Sequence, residues 1–416
     1  MKLLLKSVTI LDENSSYHNK KLDIFIENGI IRKIGKNLDS KSDKEIQLKN
    51  LHVSRGWFDS SVSFGEPGYE DRETISNGLD TAGKSGFSSV ALNPYTHPVL
   101  DHSGSIAAVK SKAASHPVHL YPVGALTVKS EGIDLAELLD MKIAGAVSFG
   151  DYKLPMHNPN LLKIALQYAQ NFDALIQSFP QEEKIAGSGI VNENVNSTLL
   201  GLKGIPNLAE ELQVARDLYI LEYTGGKLHI PTISTAKSVQ LIKEAKKKGL
   251  DVSCSVAIHN LILHDDELQE FDTRSKVLPP LRTKQDSRAL IKGLKDGTID
   301  MVTSDHNPID VEHKKVEFDN ALYGTIGLES AFGALCTIFD PTQAISYLTR
   351  GKNRFGIEEF EIKEGEPADL SLFIPGESFL FSKEDILSSS KNSIFLNKEL
   401  NGKAFGVLTE KGFISN

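Results

Sequence analysis

The 416-residue chain has only two cysteines, one tryptophan and four methionines. Cys254 and Cys336 stand far apart in apolar surroundings. A disulfide framework is therefore excluded, and a reducing cytoplasm is the natural setting. No apolar run approaches the roughly 18 residues that a membrane-spanning helix requires. The opening MKLLLKSVTIL lacks the long apolar stretch and small-residue cleavage site of a signal peptide, so a soluble, cytoplasmic protein is expected. Positive charge is also scarce, the net charge being -9. The one lysine-rich run, EAKKKG, suits the C-terminal end of a helix dipole. Nucleic acid, which needs a positive footprint, is not an expected partner, nor is a membrane. Finally, the twelve histidines include no His-x-His pair. Metal chemistry that relies on two imidazoles on one face of a strand is thus missing its usual signature.

What is present is a strong periodicity. The first fifty residues read as strands, with ENG as a hairpin turn. From about residue 53, apolar strands alternate with amphipathic helices for some three hundred residues. The strand candidates are GWFDSSVSF, FSSVALNPY, VHLYPVGAL, GAVSFGD, DALIQSFP, KLHIPTIS, DVSCSVAIHN and IDMVTSDHNP. Helical segments such as NLLKIALQYAQNF and NLAEELQVARDLYILEYTG lie between them. Eight such units predict an α/β fold, a (β/α)8 TIM barrel, over residues 54–359. Short strands return near the end, so residues 1–53 and 360–416 are expected to form a small composite β-sandwich domain.

Chemistry in such a barrel belongs at the C-terminal ends of the strands. In order these present Ser61 and Ser63, Tyr95, Asp151, Ser178, Thr232, His259, and Asp305 with His306. The list is mostly neutral, with two carboxylates.

Several blocks carry a family resemblance. FDSSVSFGEPG is similar to the Asp-x-His-x-His-Leu-Arg-Glu-Pro-Gly block of dihydroorotases, in the cyclic amidohydrolase family. NPYTHPVLD, KVLPPLR, TSDHNP and GEPADLSLF resemble further blocks of the same family in the right order, and LGLKGIPNLAEE and HIPTIST extend the match. The resemblance implies the barrel and composite β-domain, a place in pyrimidine biosynthesis, and two zinc ions. Its ligands would be the two first-block histidines, a carboxylate or carbamylated lysine after strand four, histidines after strands five and six, and an aspartate after strand eight. In this sequence the ligand positions fall on Ser61, Ser63, Asp151, Ser178, Thr232 and Asp305. His229 keeps the first histidine of the sixth block. The resemblance also implies substrate anchors, and these fall on Gly65, Tyr95, Leu278 and Ile309, with His259 near the pocket.

Replacing four imidazoles by hydroxyls removes good Zn²⁺ ligands and substitutes poor ones. No zinc is expected, and at most a weakly held Mg²⁺ or Ca²⁺ at Asp151 and Asp305. Loss of the bidentate arginine at Gly65 removes a contact worth on the order of 1.5–3 kcal/mol.

The expectation is a non-catalytic dihydroorotase-like protein, a pseudoenzyme. The resemblance implies a structural role with aspartate transcarbamoylase and a homodimer. Asp305 is expected to be vestigial, or a general base if activity survives. Three other readings stay open. The pocket could hold a new ligand among Tyr95, Gln177 and His259. Ser61 or Ser178 could act as a nucleophile with His229 or His259 and Asp305. The chain could also be a working cyclic amidase with an unconventional metal centre. Arg282 and His306 are expected to brace loops, and Asp265 and Asp266 to form a solvated helix start.

Overall fold

In the computed structural model, which describes residues 1–416, eight parallel strands form a nearly closed barrel. They are Trp57–Val62, Phe87–Leu92, His119–Gly124, Ser148–Phe149, Leu175–Gln177, Lys227–Ile230, Val252–Ala257 and Met301–Thr303, paired in sequence order. Each falls inside one of the eight predicted segments. The first and last strands meet through Asp59. Its carboxylate accepts the Thr303 hydroxyl and the Ser304 backbone N–H, the latter at 2.9 Å. A backbone bond from Ser63 N–H to the His306 carbonyl continues the seam at 2.7 Å.

The barrel is solid. Phe58, Ala91, Val123, Leu175 and Met301, from five different strands, meet in one cluster with Phe355 and Ile357. Helices cover the outside, and their caps are written in the sequence. Thr283 and Asp286 form a capping box at the start of Lys284–Lys295, and Asn158 caps Pro159–Ala169, which has proline in its first turn.

Both chain ends build one eight-stranded sheet. Five strands between Lys2 and Arg55 join Leu370–Leu380, Glu399–Thr409 and Gly412–Ser415. The predicted turn at Asn28–Gly29 is real, with φ of 51° and 73°. Both residues are left-handed, as a two-residue hairpin in a right-twisted pair requires. A Cβ at Gly29 would also lie 2.5 Å from the Glu410 backbone.

Trp57 fastens sheet to barrel. It is fully buried, stacks on Phe332 at 4.9 Å, and contacts Phe87 and Phe373. Its indole N–H donates to Ser54 Oγ at 2.9 Å. Because Trp57 is the only tryptophan, its fluorescence reports on this junction. Fluorescence and circular dichroism are expected to give coincident denaturant transitions, and Trp57→Ala is expected to cost about 3–5 kcal/mol by circular dichroism.

Candidate functional site

The strand ends converge on one small cavity of about 20 Å³, room for about one water molecule. Its lining includes Ser61, Asn93, Asp151, Tyr152, Lys153 and Thr232. Ser61 and Ser63 do share a face, because Asn93 Nδ2 donates to both hydroxyls, at 3.1 and 3.2 Å.

The centre of the site is an ion pair. Lys153 Nζ lies 2.8 Å from Asp305 Oδ2, with both side chains almost wholly buried. Asp305 Oδ1 accepts Tyr152 OH at 3.1 Å and Ser61 Oγ at 3.4 Å. Burial pushes the Asp305 carboxyl above the usual carboxylate range, against the opposing effects of the Lys153 charge and these hydrogen bonds. The Tyr152 phenol is held well above its ordinary value, first by burial and then by the Asp305 charge.

Asp151 also lines the cavity, but its carboxylate is engaged by the loop after strand three. It accepts Leu126 N–H at 2.9 Å, Thr127 N–H at 3.2 Å and Thr127 Oγ1 at 2.6 Å. Burial raises its carboxyl as well. Ser178 donates to Asp217 Oδ2 at 2.6 Å, on the helix behind the strand. That leaves it no histidine partner, and a nucleophilic role has no geometry. His229 likewise contacts Ser253 Oγ at 2.8 Å, and burial pushes it down to about 3.

Three residues here hold a left-handed backbone: Lys153 (φ 56°), Thr232 (φ 49°) and Asp305 (φ 50°). For β-branched Thr232 this is a true outlier, of order 1–3 kcal/mol. The surrounding structure imposes it.

Several expectations need correction. None of Gly65, Tyr95, Leu278, His259 and Ile309 lines the cavity. Leu278 packs with Phe179 and Ile205, Ile309 is buried, and the Tyr95 ring packs tilted against Tyr152 with centroids 5.6 Å apart. Of the proposed ligand-binding trio, only Gln177 faces the space. Asp265 is no solvated helix start: it is buried and accepts Asn192 Nδ2 at 2.7 Å. Asp266 does lie at the surface, 2.9 Å from Lys284. Arg282 braces loops, donating from Nη1 to Asn192 Oδ1 at 2.9 Å and to the Ile205 carbonyl at 2.7 Å. His306 Nδ1 accepts the Gly327 N–H at 3.2 Å.

Asn192, Asp265 and Arg282 belong to a cap over the barrel mouth, built from the loops after strands five, seven and eight. Buried lysines tie it down. Lys276 Nζ donates to the Phe318 and Asp319 carbonyls, at 2.9 and 2.8 Å. Lys314 Nζ donates to the Thr273 carbonyl at 2.8 Å, and burial pushes this amine down to about 7. Tyr323 OH reaches the Gly189 carbonyl at 3.3 Å.

The donor set does not fit zinc. No group of three or more His, Cys, Asp and Glu side chains is arranged to hold a metal. Asp305 is paired with an ammonium, and Asp151 is satisfied by Leu126 and Thr127 of the loop after strand three. The same satisfaction argues against the hard-cation site expected between them, since Mg²⁺ and Ca²⁺ need several free oxygen ligands. Tyr152 and Lys153 were missed at the sequence level. The available signal was a cation four residues past a barrel strand and two past Asp151.

A parallel barrel with its site at the strand ends and a sheet from both termini defines a TIM-barrel protein of the amidohydrolase architecture. Solved structures of this shape include an L-hydantoinase (dihydropyrimidinase) from Arthrobacter aurescens, with TM-score 0.85, 18% identity, and coverage of 100% of this chain and 96% of that one. Dihydropyrimidinase from Brevibacillus agri gives 0.83 and 20%, with coverage of 100% and 95%. Residues 52–238 match the family described as "Dihydro-orotase-like". Dihydroorotase of Pelotomaculum thermopropionicum is 39% identical over 409 residues, covering 97% of this chain and 96% of its own. That of Acetivibrio thermocellus is 36% identical over 414 residues, covering 98% and 97%. The chain belongs to the dihydroorotase family. No helix is long and apolar enough to cross a membrane.

Two predictions follow from the buried charges. Lys153→Ala leaves Asp305 unpaired and is expected to cost about 3–5 kcal/mol at pH 7, with Asp305→Asn in the same chain recovering most of it. A carboxyl whose folded pKa exceeds its unfolded one gains stability as pH falls, so the deficit of the single variant should shrink in acid. Denaturant titrations of the four chains of the cycle measure both effects.

His259 is fully buried with neither ring nitrogen partnered, and burial beside the Lys153 charge pushes it from 6.5 down to about 3. The unfolded state binds this proton first as pH falls below about 6.5. Stability is then lost at about 1.4 kcal/mol per pH unit until the folded value is reached. His259→Leu should flatten the slope of unfolding free energy against pH by one proton, at little cost at pH 7.

Proposed function

We propose that this chain is a non-catalytic member of the dihydroorotase family, retained for its fold. Aspartate transcarbamoylase is the structural partner that the family resemblance implies. The observation that carries the reading is the Lys153–Asp305 pair, 2.8 Å apart and buried. An ammonium already neutralises the carboxylate that a catalytic metal would have to use. A metal-bound water of pKa near 7 needs a cation with an open coordination position. An ammonium offers neither a coordination site nor a Lewis acid.

Two further observations support this reading. The cavity is about 20 Å³, far below the 300–1,000 Å³ or so of a small-molecule site. The cap is also stitched shut by buried hydrogen bonds among its three loops.

The test is metal analysis of the purified protein after incubation with zinc, followed by an assay for ring closure of carbamoyl aspartate. Substoichiometric zinc and no turnover are expected. Stoichiometric zinc with turnover would establish the rival reading, an active cyclic amide hydrolase. The scaffold role is tested separately by recovery of aspartate transcarbamoylase activity with the tagged full-length chain.

A further inference from the structure

A far larger recess lies at the other end of the barrel. An open groove of about 710 Å³ runs below strands three and four, against about 20 Å³ at the mouth. It is bounded by the last turns of the helices Ser103–Ala113 and Leu138–Ala144, by Phe355, and by the turn at Lys411 between the last two strands. Chemistry in such a barrel belongs to the opposite face, so the groove is a binding surface and not a second active site. Its volume falls within the 300–1,000 Å³ or so of small-molecule sites.

The floor is apolar and flat. His119 and Tyr121 alternate along strand three and so share a face. Their rings lie 6.3 Å apart and 26° from parallel. Tyr121 and Val147 pack against the barrel cluster that holds the buried Phe355. The rim, by contrast, is cationic. Lys110, Lys142 and Lys411 line the groove and no carboxylate does, in a chain whose net charge is -9. Lys142 and Lys411 form no ion pair, and Lys110 reaches only the Ala144 carbonyl, at 3.3 Å. Gly145 keeps the place of Lys110 open, because a Cβ there would collide with its amine. Burial holds the Lys142 ammonium below its ordinary value, against the pull of Asp173. The neighbouring Glu410 is already engaged by His119 at 3.2 Å. Cations in the last turn of a helix answer its dipole, which accounts for Lys110 and Lys142 singly. It accounts neither for Lys411, which comes from a strand turn, nor for all three lining one apolar floor.

We infer that this groove binds a small organic anion with a flat body, a mononucleotide or an aromatic carboxylate in size. The body lies over Tyr121 and His119, as offset aromatic rings prefer, and the ammonium groups of Lys110, Lys142 and Lys411 take the anionic group. Lysine acts toward such groups as a point charge, so phosphate and carboxylate share one chemistry here. The ligand touches both the barrel and the terminal sheet, and by binding only the folded chain it stabilises their junction. The groove is remote from the mouth, so the inference stands whether or not the mouth turns over substrate.

Anilinonaphthalene sulfonate, a flat organic anion that fluoresces when bound, is the probe for the full chain at low salt. One saturable site per chain is expected, weakened by about 0.5 M sodium chloride through screening. Adenosine monophosphate or indoleacetate should displace the probe, and inorganic phosphate or adenosine at the same concentration should not. Lys142→Glu/Lys411→Glu is expected to weaken probe binding at least tenfold with an unchanged melting temperature. Ala114→Trp fills the groove without changing its charge and should do the same. Lys247→Glu/Lys292→Glu, on the helices after strands six and seven, places the same charge change elsewhere and should bind as the wild type does. Displacement by adenosine monophosphate or by indoleacetate supports the inference and tells phosphate from carboxylate. Displacement by neither, equal displacement by inorganic phosphate, or undiminished binding in both groove variants overturns it. The last result would put the probe on the exposed tyrosines of Asn207–Thr224 instead.

Discussion

The rest of the site depends on one charge balance, that between Asp305 and Lys153. A carboxylate this deeply buried is costly unless a cation faces it. Here that cation is the chain's own ammonium, 2.8 Å away. Once the lysine is in place, nearby imidazoles have no metal to bind and sit beside a positive charge. His259, with no partner on either nitrogen, is held low first by burial and then by this charge. Hydroxyls at Ser61 and Ser63 are better suited, because they donate to Asp305 or accept from Asn93 without carrying charge. The absence of histidine and the presence of Lys153 are one arrangement seen from two sides.

The frame around that pair has kept its constraints. Asp59 still closes the barrel, and Thr232 and Asp305 still hold strained left-handed backbones. Strain of this kind persists only where surrounding structure over-determines it. The strand ends are therefore fixed by the frame, and the side chains on them are bonded to one another.

Fold and site were unequally legible. Eight strand segments showed themselves by apolar alternation, which depends only on neighbours along the chain. The joining of both ends into one sheet was readable because strand-like segments without intervening helical segments occur only there. The serines at 61 and 63 could be placed on one face by the period of a strand. What could not be read was which side chain meets which across the barrel. Lys153 and Asp305 are 152 positions apart, and Ser178 finds Asp217 on a helix 39 positions on. Asp265 looks solvated in LHDDEL, yet it is buried by asparagines from a loop about 70 residues earlier. Pairings of this kind are set by the cap and the helix ring, which local pattern does not encode.

An active pocket is a poor place to store stability, since its polar groups must stay unsatisfied until substrate arrives, and the usual outcome is a trade between activity and stability. In this pocket the polar groups are satisfied within the chain. Lys153, Tyr152, Ser61 and Asn93 satisfy one another around Asp305, and Lys276 and Lys314 spend their hydrogen bonds on fastening the cap. The result is a barrel mouth that offers almost no interior volume, about 20 Å³. The exterior departs from what water favours along the outer stripe of the Asn207–Thr224 helix, where Leu208, Leu212, Tyr219 and Tyr223 are exposed.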